Sequence, residues 1–121
     1  MAYKSYIQID LNYLSDLAEG DVSFIAEMIQ LYVTRVPNDI SKLEISIGSS
    51  DWKTVRATAH QMKSSFNHIG LKDIVPLIQS IEDSSNHLTD LDKIPEKFAK
   101  VKQICTQAVE ELKTELKKLQ K

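Results

Sequence analysis

The sequence predicts an all-α protein: an up-and-down antiparallel bundle with a four-helix core and a short extra N-terminal helix. Two observations carry this. Only 3 Gly and 3 Pro punctuate 121 residues, and apolar residues recur at threes and fours along almost the whole chain, the period of an amphipathic helix. No run alternates in the manner of a half-buried strand. With 42% hydrophobic and 26% charged residues, residues 1–121 have the balance of a single globular domain.

Asp10 is placed to cap a first short helix reaching Glu19, with Leu11, Leu14, Leu17 and Ala18 on one side and Gly20 as its stop. Asp21 caps a second segment to about Val36, whose stripe is Val22, Ile25, Met28, Ile29, Tyr32, Val33 and Val36 and whose wet face holds Glu27, Gln30 and Arg35. Pro37 is expected to end that segment and, with Asn38, to open a third holding Ile40, Leu43 and Ile47 before Gly48-Ser49-Ser50 breaks it. Ser50 or Asp51 caps a segment from Trp52 to Ile69, and Gly70 suits its left-handed C-terminal position. The next runs from Leu71 to Ser84, where Pro76 means either a kink or a late start. Ser84 to Asp90 reads as a connector. Pro95 then opens a long last helix carrying Phe98, Val101, Cys105, Ala108, Leu112, Leu116 and Leu119. That near-heptad spacing fits a bundle helix in a monomer and leaves open a dimer through a coiled-coil seam.

Charge and hydropathy exclude several classes of function. A net charge of -2 and a pI near 5.9 give no basic field for nucleic acid. The longest apolar-leaning stretch, Val22 to Val36, is interrupted by Glu27, Gln30 and Arg35 and falls short of the roughly 20 apolar residues of a membrane span. The N-terminus lacks the apolar region of a secretory signal, so the expected compartment is the cytoplasm. Cys105 is the single cysteine; it can form no internal disulfide and reads as a small apolar packer.

The chemistry concentrates on Trp52 to Ile69. At about 100° per residue, Trp52, Val55, Ala59, Met62, Phe66 and Ile69 gather opposite His60, while Lys53, Arg56, Lys63, Ser64 and Asn67 fall within roughly 60° of it. His60 therefore lies on a polar, positively charged stripe open to solvent. Neutral imidazole is a good nucleophile near neutral pH, and Lys63, one turn on, can offer a point charge to a phosphoryl group on that ring. A surface histidine without a role, in a non-catalytic helical adaptor, is the alternative that the helical wheel leaves standing.

The segment Ala59-His60-Gln61-Met62-Lys63-Ser64-Ser65-Phe66-Asn67-His68-Ile69-Gly70 resembles the signature of the histidine-containing phosphotransfer (HPt) domain: alanine-histidine-x-leucine-lysine-glycine, a small residue, and a glycine ten positions after the histidine. Asp51-Trp52, Gly20-Asp21 with Phe24, Pro37 and Ile81-Glu82 fit the family's layout, so the resemblance covers about residues 10 to 85. One departure is Ser64, where the family usually has glycine; its hydroxymethyl group narrows access to His60 without closing it.

The resemblance implies a phosphorelay in which His60 takes a phosphoryl group from the aspartate of a response-regulator receiver domain and passes it to another receiver. Lys63 assists, Lys53, Arg56, Ser64 and Asn67 dock the partner, and Glu82 stands near a position where some members steer the ring. The implied partners are receiver domains and a hybrid sensor histidine kinase. No cofactor is expected on this chain, the Mg²⁺ belonging to the receiver, and no P-loop or carboxylate cluster is present for nucleotide or metal. A histidine-kinase dimerisation domain fits poorly, since Gln61 and Ser65 stand where its acidic residue and proline would be. A metal held by His60 and His68 lacks a third ligand.

Overall fold

The computed structural model describes residues 8–120, all of its regular structure helical among these residues. Five α-helices form: α1 (Asn12–Ala18), α2 (Val22–Gly48), α3 (Trp52–His68), α4 (Val75–His87) and α5 (Ile94–Leu119). Short 3-10 turns, Lys72–Ile74 and Leu91–Lys93, lead into the last two. Helix α3 packs on α2 and α4, and α5 packs on α2 and α4, which closes a four-membered ring; α1 lies against α2. No described helix is long and apolar enough to cross a membrane.

Pro37 does not divide α2, contrary to the break expected there. Proline removes one helical hydrogen bond and crowds the preceding turn, at about 3 kcal/mol. Against that stands a single buried stripe, Ile25, Ile29, Tyr32, Val36, Ile40 and Leu43, whose threes and fours run through the proline in register. A break at Pro37 would rotate one half of that stripe out of the core, whereas the proline ring itself faces outward.

Helix ends follow local chemistry. Asp21 caps α2 by accepting from the Phe24 amide at 3.2 Å, and Asp51 caps α3 by accepting from the Thr54 amide at 3.2 Å and its hydroxyl at 2.7 Å. Ser50 instead takes the left-handed position closing α2, at φ 56. At α1 the cap position falls on Leu11, not Asp10; Asp10 accepts from the Asn12 amide just ahead of the helix. Leu17, expected inside, is exposed.

Helix α4 begins late, with Pro76 in its first turn, and continues through the expected connector to His87. The serines there are small enough to be buried, Ser84 and Ser85 both lying in the interior, with the Ser85 hydroxyl donating to the Glu82 carbonyl at 2.9 Å. Only Leu88 to Asp90 remain as a turn. The α5 seam faces the interior from Phe98 to Leu116, so its near-heptad surface is used within the chain.

The N-terminal segment straps the bundle. The Glu111 carboxylate, buried on α5, accepts from the Gln8 amide at 3.0 Å and the Ile9 amide at 3.1 Å, and the Asp10 amide donates to the Ile69 carbonyl at 3.0 Å. This crossing explains Gly70. At φ 79 it closes α3, with the Leu71 amide donating to the Phe66 carbonyl at 2.8 Å. A β-carbon there would meet Asp10 backbone and side-chain atoms at 2.4–2.6 Å.

Gly70→Ala should therefore cost about 3 kcal/mol in urea denaturation, combining left-handed strain with a clash. Gly20→Ala, at a similar φ but with nothing within 4 Å, should cost only about 1 kcal/mol. Equal losses would show that the strap does not bear on Gly70.

Candidate functional site

Helix α3 presents two faces. Val55, Thr58, Ala59, Met62, Ser65 and Phe66 are buried; His60, Lys53, Ser64 and Asn67 are exposed, and Arg56 and Lys63 are half-buried. The His60 side chain is 65% exposed, so a partner can reach its ring.

What the ring touches comes from α4. His60 Nδ1 lies 3.0 Å from Glu82 Oε2, and Lys63 Nζ lies 2.8 Å from Glu82 Oε1. Lys63 also donates to Gln79 Oε1 at 2.8 Å, and Gln79 Nε2 donates to Asp83 Oδ1 at 2.9 Å. His60 and Lys63 are three residues apart, as are Gln79 and Glu82, so each pair shares one face of its helix. Two packed helices therefore align two pairs.

Glu82 is only 14% exposed. Burial opposes its charge, but the contacts of Lys63 and His60 prevail, and its carboxyl group lies below the ordinary glutamate range. An ionised carboxylate can only accept, so Nδ1 must carry the proton. In the neutral ring the lone pair then sits on Nε2, which makes no hydrogen bond among the described residues.

The other histidines differ. His68 stacks on Tyr13, with centroids 5.5 Å apart and planes 4° apart, and its Nδ1 meets the Tyr32 hydroxyl. Burial raises the Tyr32 pKa and keeps the phenol protonated. His68 is half-buried and engaged by both aromatic rings, unlike the open ring of His60. His87 is exposed at the end of α4. No group of three metal-ligating side chains occurs among the described residues. Cys105 is buried, which pushes its thiol up to about 12, an unreactive packing residue.

The sequence profile of the Hpt domain family matches residues 27–121. The chain belongs to the Hpt domain family. It is thus a phosphotransfer component of two-component phosphorelays, which sets aside the non-catalytic adaptor and the histidine-kinase dimerisation hairpin. The match reaches the end of the chain and begins within α2, whereas the motif-based resemblance placed it at about residues 10 to 85.

Among solved structures, the fold is similar to histidine-containing phosphotransfer protein B (HptB) from Pseudomonas aeruginosa PAO1, at 18% identity and a TM-score of 0.83, covering 94% of this chain and 98% of that one. It is also similar to the HPT domain of an Hpt sensor hybrid histidine kinase from Shewanella, at 17% identity and a TM-score of 0.77, covering 91% and 94%. Comparison with curated protein sequences gives no significant match.

Within this Hpt domain the structure joins His60, Lys63 and Glu82 directly. Lys53, Arg56, Ser64 and Asn67 flank the ring along α3, and their side chains form no hydrogen bond or ion pair with that cluster. Gln79 and Asp83 were not foreseen. Their only sequence signal is spacing, three before and one after Glu82 on a polar stretch of α4.

The depressed Glu82 pKa sets a pH dependence. Its contribution to stability is complete above the unfolded glutamate pKa and is lost as pH falls through the lower folded value. Wild type should exceed Glu82→Gln in urea midpoint at neutral pH, and the two should converge in acid. A constant difference down to strongly acidic pH would contradict the ionised contact.

Proposed function

We propose that Nε2 of His60 is the phosphoryl acceptor of this Hpt domain. The observation that carries the reading is the 3.0 Å contact between Nδ1 and Glu82 on a ring otherwise open to solvent. The Nε2 lone pair attacks phosphorus of a receiver domain's aspartyl phosphate. The N–P bond forms, the acyl O–P bond breaks, and the aspartate departs as a carboxylate.

No proton need leave Nε2, because none is there. Nδ1 keeps its proton, the ring becomes positive, and the Glu82 carboxylate beside it offsets the new charge. In the reverse direction a second receiver's aspartate attacks the same phosphorus and the ring leaves neutral. Lys63, one turn along α3, supplies positive charge toward the phosphoryl oxygens.

Lys53, Arg56, Ser64 and Asn67 dock the receiver's acidic pocket, which brings the Mg²⁺. Ser64, one turn on from His60 and likewise exposed, adds only a small hydroxymethyl group to this docking face. The relay runs between receiver domains and a hybrid sensor kinase in the cytoplasm, and residues 1–121 act in it as one domain.

Incubation with a phosphorylated receiver domain should place acid-labile, base-stable label on the wild-type chain and none on His60→Gln. Lys63→Ala should slow transfer about tenfold, equivalent to roughly 1.4 kcal/mol of lost transition-state stabilisation. Undiminished label on His60→Gln would overturn the assignment.

A further inference from the structure

A second histidine stands on the same side of α3 as His60. Ser64 and His68 follow it at steps of four residues, each about 6 Å along the helix and about 40° around it, so the half-buried His68 lies about 12 Å beyond His60 along the axis. There it meets two other helices. Its Nδ1 contacts the Tyr32 hydroxyl on α2, and its ring stacks on Tyr13 of α1, with centroids 5.5 Å apart and planes 4° apart. The stack brings α1 to the edge of the His60 face. Tyr13 is 50% exposed, and Leu17, one turn along the same side of α1, is 54% exposed. Leu31, next to Tyr32 on α2, is exposed as well, and the exposed Arg35 guanidinium lies 5.8 Å from the centre of the Tyr32 ring.

Single apolar side chains at a surface are ordinary. Place and rigidity set these apart. A standard interface buries about 800 Å² on each partner, a disc of about 16 Å radius, so a receiver domain centred on His60 reaches Tyr13. An aromatic ring already held by stacking loses little freedom when a partner covers it. We infer that α1, fixed by His68, belongs to the docking surface: Tyr13 and Leu17, with Leu31 beside them on α2, present an apolar edge to a receiver domain whose acidic pocket sits over His60. Arg35 adds positive charge on that flank, complementary to the pocket's rim. This rests on the reading of His60 as the acceptor, and it adds apolar contacts to the polar ones along α3. His68 is a positioning residue that acts through Tyr13.

The surface can be read without any transfer. In ¹H–¹⁵N spectra of the labelled chain titrated with an unphosphorylated receiver domain, one that donates label to the wild-type chain when phosphorylated, the Tyr13, Leu17 and His68 amides should shift with the same midpoint as those around His60. In the transfer reaction, Tyr13→Ser combined with Leu17→Ser should raise the receiver concentration for half-maximal rate about tenfold, with the maximal rate retained, because the apolar edge holds the partner and takes no part in the chemistry. His68→Ala should raise that concentration about fivefold. His68→Phe, which keeps a ring for Tyr13 to stack on, should restore it.

Unshifted α1 amides in the titration, or a half-maximal concentration in the double variant equal to that of wild type, would overturn the inference. So would a wild-type chain that sediments as a dimer beside a double variant that sediments as a monomer, which would give the apolar edge to a second copy of the chain. Equal weakening by His68→Ala and His68→Phe would remove the stack as the anchor of α1. The titration judges α1 by itself, whereas label persisting on His60→Gln would fail the acceptor assignment.

Discussion

One carboxylate couples the two helices that make the site. Glu82 on α4 meets the ring of His60 and the ammonium of Lys63, both on α3, and it can do so only while the helices hold their register and spacing. An exposed imidazole is otherwise free to rotate and to exchange tautomers. Fixing one nitrogen against a partly buried charge gives the other a defined role without enclosing it, which suits a nucleophile that must be reached by another protein.

The register of α3 and α4 is built at their junction. Gly70 turns the chain in a left-handed conformation, the 3-10 turn from Lys72 to Ile74 follows, and Pro76 starts α4 within its first turn. Phe66, Ile69, Leu71, Ile74 and Ile78 are all buried around this corner. The N-terminal strap crosses it where Asp10 bonds the Ile69 carbonyl, and Glu111 anchors the same strap to α5. Helices α2 and α5 complete the ring. The wide cleft between the end of α2, Gln8 and α5 contains none of the residues assigned to the site, in keeping with a centre that works at a surface.

The exposed face of α3 was legible because amphipathic periodicity is strong there and its large apolar residues gather on the side away from His60. Lys63 was legible for the same reason, and Glu82 through its place in the family's layout. Pro37 misled because a local rule about proline yields to a stripe that stays in phase through it, which only the packed core reveals. Ser84 and Ser85 read as loop by composition, yet small side chains are what a close helix contact admits. Nothing in the sequence around Glu111 marks it out, because the amides it accepts from lie more than a hundred positions away. Gln79 carried no charge and matched no motif, so its alignment with Lys63 emerges only once α3 and α4 are packed.

The claim on which the account turns is that Nδ1 is held and Nε2 reacts. It is tested most directly by phosphorylating the ¹⁵N-labelled chain from a receiver domain and finding which ring nitrogen shows coupling to ³¹P. The account predicts coupling to Nε2 of His60, with Nδ1 still protonated. Phosphorus on Nδ1, or on His68 or His87, would contradict it.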